Sequence, residues 1–149
     1  MRFWDTSSIV PLIVEEETST LTERILLEDP EMAVWWGTEV ECVGALSWKF
    51  RQKRFDGGDV ELAVTTLGDL VEAWNEFQPT DEVRVRSERL LFSRRLGSAD
   101  AMQLAAALLW CDDDPREAVF VCQDDQLRTA ARLEGFTVLP TFEQLGKPF

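Results

Sequence analysis

Residues 32–38 read MAVWWGT, five apolar side chains closed by a glycine and a threonine. The run has no polar alternation, so a strand made of it has both faces covered, as in parallel sheets packed between helices. Gly37 and Thr38 stop the run and open a long helix that the pattern carries through about residue 54. The same signature recurs along the chain. RFW (2–4) runs into Asp5, AVFVC (118–122) is followed by Gln123, Asp124 and Asp125, and FTVL (136–139) forms a last strand.

Helical segments fill the gaps. Residues 6–14 read as a short helix with Ser7 or Ser8 as cap and Pro11 near its first turn; residues 18–28 read as a second, ending before Pro30. Gly57-Gly58-Asp59 is a break. After it, Val60, Val64, Leu67, Val71 and Trp74 follow at spacings of 4, 3, 4 and 3, an amphipathic helix. Pro79-Thr80-Asp81 opens a helix carrying Val83, Ser87, Leu90 and Leu91 towards Gly97. Ser98 caps the next, whose inner face is Ala101, Leu104, Ala105, Leu108 and Leu109, ended by residues 112–115. Residues 124–134 make the last helix, with Gly135 as its C′ residue. The order βα(α)–βαααα–βα–β describes one domain over residues 1–149. It is an α/β fold: a three-layer α/β/α sandwich with a short parallel central sheet and a helix-rich insert after the second strand.

Composition limits the chemistry. The 149 residues carry 15 Lys and Arg against 28 Asp and Glu, a formal charge of −13, and no His. A Ser-His-Asp triad, a Cys-His pair, a His-ligated zinc and an imidazole base are therefore excluded. The charge opposes a whole-surface attraction to nucleic acid or anionic membrane. Cys42, Cys111 and Cys122 form no CxxC and each sits in an apolar run, as free buried thiols do. No apolar run approaches the roughly 20 residues that span a bilayer, and the start lacks a signal-peptide pattern. These features predict a cytoplasmic protein without a membrane partner.

Open parallel sheets bind ligands outside the carboxyl ends of their strands. Asp5 directly follows the first strand, Glu41 lies in the first turn after the second, and Asp124 comes just after the third. Asp100 lies in the first turn of the helix beginning at Ser98. Four carboxylates drawn to one rim, without His or thiolate, suit a hard cation, Mg²⁺ or Mn²⁺. Each acid also has a local explanation. Acids complement the helix dipole in a first turn, Thr38-x-x-Glu41 matches a capping box, and Asp124 is itself a candidate N-cap.

Four motifs in order weigh between these readings: Asp5-Thr6-Ser7; Glu41 with Ala45-Leu46; Ser98-Ala99-Asp100-Ala101 with Gln103-Leu104-Ala105; and Val121-Cys122-Gln123-Asp124 with Leu127, Ala130 and Ala131. Together they resemble PIN domains, and most closely the VapC-like ribonuclease toxins of type II toxin–antitoxin systems. The resemblance covers nearly the whole chain. It implies that Asp5, Glu41, Asp100 and Asp124 are the catalytic, metal-holding acids, with Thr6 or Ser7 as a hydroxyl beside them. It implies a metal-dependent endoribonuclease that hydrolyses phosphodiester bonds in RNA, using a water of lowered pKa. The implied partners are RNA, a cognate antitoxin protein and a second copy in a homodimer. Two positions depart from the family pattern: Gly97 stands where many relatives carry Arg, and Cys122 where a hydroxyl is common. Asp125 adjoins Asp124 and is a candidate to share its role.

A polyanionic substrate calls for local positive charge. Lys49, Arg51, Lys53 and Arg54 form one basic run, and Arg84, Arg86, Arg89, Arg94 and Arg95 another. Arg94, Arg95, Lys49 and Arg51 are the candidate RNA contacts, against the alternative that these helices are solvated faces pairing with their own acids. Of the aromatic residues, Trp35-Trp36 read as core strand. A haloacid-dehalogenase-like phosphatase needs an acid where Ser7 stands, and a receiver domain needs a lysine the chain does not place. The remaining alternative is a degenerate PIN-like module that binds RNA or a protein without cleaving.

Overall fold

The apolar runs become the strands of one sheet. A computed structural model describes residues 1–52 and 56–147. In chain order they form β1 (Arg2–Trp4), α1 (Thr6–Ile13), α2 (Ser19–Glu28), β2 (Met32–Trp35), α3 (Thr38–Gln52), α4 (Gly57–Ala73) and β3 (Asn75–Phe77). Then come α5 (Asp81–Ser93), α6 (Ser98–Trp110), a 3-10 turn (Pro115–Glu117), β4 (Val119–Val121), α7 (Asp125–Glu134) and β5 (Thr137–Leu139).

The sheet order is β3-β2-β1-β4-β5 and every pairing is parallel. Alternate side chains of a strand point to opposite faces, and here both faces are apolar. Phe3, Ala33, Trp35 and Phe120 pack with Val83, Leu90, Leu104, Leu127 and Ala131, so α5, α6 and α7 cover one face. Trp4, Met32, Val34 and Val121 pack with Ile9, Ile25, Cys42, Leu46 and Leu67, so α1 to α4 cover the other. The three-layer α/β/α sandwich is the observed architecture.

Several local expectations are corrected. The insert contains a fifth strand, β3, whose residues Asn75-Glu76-Phe77 are short, polar and at the sheet edge, leaving no apolar signature. Gly57-Gly58-Asp59 is the first turn of α4 rather than a break. Asp56 accepts from the Asp59 amide at 2.9 Å while Asp59 reaches back to the Asp56 amide, a full capping box that carries the glycines into the helix. Asp5, not Ser7 or Ser8, caps α1, and Pro11 stands inside that helix rather than in its first turn. Gly97 is the N-cap of α6, making Ser98 the first helical residue. Trp36 lies beyond the strand and is 50% exposed, whereas Trp35 is buried. Lys53 and Arg54 lie outside the described residues. Among the described residues, no helix is long and apolar enough to cross a membrane.

Candidate functional site

The chain lays down β2 and β3 on one side of β1 and β4 and β5 on the other, so the switch point falls at the carboxyl ends of β1 and β4. Asp5 sits there. Its extended backbone (φ −85°, ψ 152°) ends β1, and its carboxylate caps α1 by accepting the Ser7 amide at 2.9 Å and the Ser7 hydroxyl. That hydroxyl in turn accepts the backbone amides of Gln123 at 2.9 Å and Asp124 at 3.2 Å. One donor and two acceptor sites satisfy the hydroxyl completely, and Ser7 thus pins α1 to the loop after β4. The Cys122 thiol donates to Asp5 at 3.6 Å, so the thiol does here what the departure from a hydroxyl put in question. Beneath the loop, the buried Arg128 guanidinium donates to the carbonyls of Cys122 and Pro140, both at 2.7 Å. Burial pushes the Asp5 carboxyl above its usual range despite the Ser7 and Cys122 donors, and the Asp124 charge adds to the rise.

Glu41 faces Asp5 from the first turn of α3. Its carboxylate accepts the Thr6 hydroxyl at 3.1 Å and lies 3.4 Å and 3.5 Å from the Gln103 amide nitrogen. It therefore reaches across the cleft, where the capping-box reading had it turn back to Thr38. Gln103 is fully buried, and its nitrogen also meets the hydroxyls of Thr6 at 3.2 Å and Thr38 at 3.1 Å. Burial, then the charges of Asp5 and Asp100, pushes Glu41 up to about 7. Asp100, in the first turn of α6, is pushed up to about 6 by burial and the charges of Asp124 and Asp5. No described residue donates a hydrogen bond to its carboxylate. Asp124 caps α7, accepting the Leu127 amide at 2.8 Å. Asp125 points elsewhere, to Lys147 at 2.7 Å, whose amine holds its carboxyl below the usual range.

The structure thus brings Asp5, Glu41, Asp100 and Asp124 within mutual electrostatic reach and leaves Asp125 out. Among the described residues no Lys or Arg pairs with any of the four. An uncompensated cluster of oxygen donors fits a hard divalent cation in charge and donor type. The fit is not a finished cage: among the described residues no three or more acid or thiol side chains already stand at metal-holding spacing.

The basic candidates divide. Arg94 is bound to Glu134 at 2.7 Å and Lys49 to Glu16, so both are engaged, but by acids of other elements and not of their own helices. Arg95 stands at φ 56°, its carbonyl accepting from Gln126 at 2.6 Å, and its exposed side chain has no ion pair among the described residues. Arg51 is likewise exposed and has no ion pair among the described residues. Arg84 pairs with Asp81 and Arg86 with Asp113. Sequence reasoning assigned no role to Gln103 or Arg128; a buried polar residue on the otherwise apolar inner face of α6 is the signal that marks Gln103.

No family model matches the chain, and no curated protein matches it. Among solved structures, the chain is similar to one described as the crystal structure of PAE2754 from Pyrobaculum aerophilum, at 19% identity and a TM-score of 0.64. The likeness covers 98% of this chain and 90% of that one. At this identity it speaks for the fold, the same three-layer arrangement over essentially the full length.

Proposed function

We propose that this chain is an Mg²⁺- or Mn²⁺-dependent endoribonuclease, the toxin of a toxin–antitoxin pair of the PIN-domain, VapC-like kind that its motifs resemble. The observation that carries the reading is the uncompensated set of Asp5, Glu41, Asp100 and Asp124 at the switch point, in a chain without histidine. When bound, a divalent cation supplies charge neutralisation at the phosphate and a water of lowered pKa. The chain's own residues prepare that chemistry. Asp5, Glu41, Asp100 and Asp124 would hold the ion; Ser7 and Cys122 fix Asp5; Thr6 and Gln103 fix Glu41. Burial of Asp5 and partial burial of Glu41 and Asp100 limit the screening of those charges by bulk water, while Asp124 stands exposed at the rim. RNA as substrate rests on the resemblance, as do an antitoxin that blocks the cleft and a homodimeric state. The acid excess suits a basic antitoxin segment, and of the four candidate RNA contacts Arg95 and Arg51 are the two with no ion pair among the described residues.

The test is cleavage of labelled RNA by protein freed of any partner, with Mg²⁺ or Mn²⁺, with EDTA, and with Asp5→Asn. Metal-dependent cutting that falls at least about 100-fold in the variant is expected, since Asp5 is a ligand and not a helper. Equal cutting by both proteins overturns the site. RNA binding without metal-dependent cutting selects the second reading, a degenerate module, which the unfinished cage favours.

A further inference from the structure

Trp36 was expected in the core, and its half-exposed ring needs a reason. It forms one wall of a cavity of about 360 Å³ between the ends of β2 and β3 and the helices α5 and α6. Trp35, Val83, Leu91 and Met102 complete an apolar slot, and the Trp36 ring stands edge-on to Trp35 at 6.4 Å and 71°. The volume falls in the range of small-molecule sites, which are mostly apolar with a few polar groups. Of the polar residues that line the slot, Thr80, Ser87 and the Arg84–Asp81 pair are already engaged, whereas the Glu88 carboxylate and the Ser98 hydroxyl have no hydrogen-bond partner among the described residues.

The position of the slot relative to the acid cleft bears on what it would hold. Trp36 joins β2 to the helix carrying Glu41, and Ser98 and Met102 share the first turns of α6 with Asp100. Ser98 and Met102 are four residues apart and lie on one side of α6, while Asp100 lies on another. Slot and acid cleft therefore flank the start of one helix, about 10 Å across, on the same edge of the sheet. A strand crossing the acids at its backbone reaches the slot with a neighbouring base. Aromatic rings that stack bases, with free groups at the base edge, are the usual way to hold single strands.

We propose that this slot is a nucleobase subsite: Trp36 stacks a base adjoining the phosphate held at the acid cleft, with Glu88 and Ser98 meeting its polar edge. The proposal rests on the ribonuclease reading, and its test separates the two. Binding of a fluorescein-labelled ten-nucleotide RNA is followed by anisotropy with Ca²⁺ in place of Mg²⁺, the strand checked intact on a gel, alongside oligonucleotides with one abasic position moved along the strand. Trp36→Ala, an exposed site whose native fold circular dichroism will check, weakens binding about 5- to 100-fold, and Trp36→Phe restores most of it. At one position the abasic substitution costs wild type the same factor and costs Trp36→Ala nothing more. A flat abasic scan, or losses that multiply, overturns the subsite. So does a Trp36→Ala protein that binds RNA normally but changes its oligomeric state, which makes the slot a protein interface. Metal-dependent cutting with silent Trp36 removes the subsite alone, whereas absent RNA binding and absent cutting remove both readings.

Discussion

Asp5 and Asp100 belong to one rim and are held in opposite ways. Asp5 is buried at the switch point and takes the amide and hydroxyl of Ser7 and the thiol of Cys122. Asp100 receives no donor from any described residue. Glu41 stands between them, steadied by Thr6 and Gln103 but still pushed to about 7. The protein thus builds one corner of the cleft rigidly and leaves the far corner's lone pairs unspent. What the Ser7 and Cys122 donors do at Asp5, no described residue does at Asp100.

The contrast breaks first at Ser7. Ser7→Ala strips Asp5 of a donor and leaves two amides without their acceptor, a loss of about 1–3 kcal/mol that appears as several degrees of Tm. Mn²⁺ affinity, measured by calorimetry, falls about 10- to 100-fold, as it does when partners behind a ligand are removed. Gln103→Leu, of similar volume, affects the middle of the cleft. Its affinity loss is about tenfold, and its Tm falls less than that of Ser7→Ala, because loss of the Nε2 contacts to Thr6, Thr38 and Glu41 is partly offset by removal of the buried, unpartnered Oε1. An unchanged Tm in Ser7→Ala would show that the rigid corner is not rigid.

The next effect is smaller and depends on pH. The Glu41 carboxyl titrates about 7 when folded against an ordinary 4.5. The folded chain keeps that proton longer, so its contribution to stability is complete below pH 4.5 and lost as pH rises to 7. Glu41→Gln removes the loss: without added metal, the variant melts with wild type near pH 4 and above it at pH 8. Partial exposure limits the gap to about 1–2 kcal/mol, or a few degrees at about 2–4 °C per kcal/mol. Parallel melting curves at both pH values would contradict the strained middle of the cleft. The smallest effect lies outside the rim. Arg95→Ala lowers the salt slope of RNA binding by about 1, and Arg94→Ala by less, because Arg94 already serves Glu134; equal slopes would erase the distinction between the two.

These differences mark how far the sequence could be read. The apolar runs of β1, β2 and β4 were legible because both faces are buried; the rule for carboxyl edges then picked Asp5, Glu41 and Asp124, and Asp100 was added from the start of a helix that follows no strand. β3 was not, since an edge strand of Asn75-Glu76-Phe77 buries too little to leave an apolar pattern. Trp36 was misread because a run of five apolar residues does not say which of its ends leaves the sheet. Gln103 showed only as a polar residue on an apolar face: its meaning depends on Thr6 and Glu41, 97 and 62 residues away in the chain. The pairings of Lys49 and Arg94 are tertiary in the same sense.

The order of the sheet also sets a clock. Ser7 and the Asp124 amide, joined at 3.2 Å, are separated by 117 residues. At about 5–20 residues per second, a ribosome needs on the order of 6–23 s between making one and making the other. Such long-range closure comes late in folding as well. The first acid of the cleft is therefore synthesised long before the last, and the cleft is incomplete until the loop after β4 has been made.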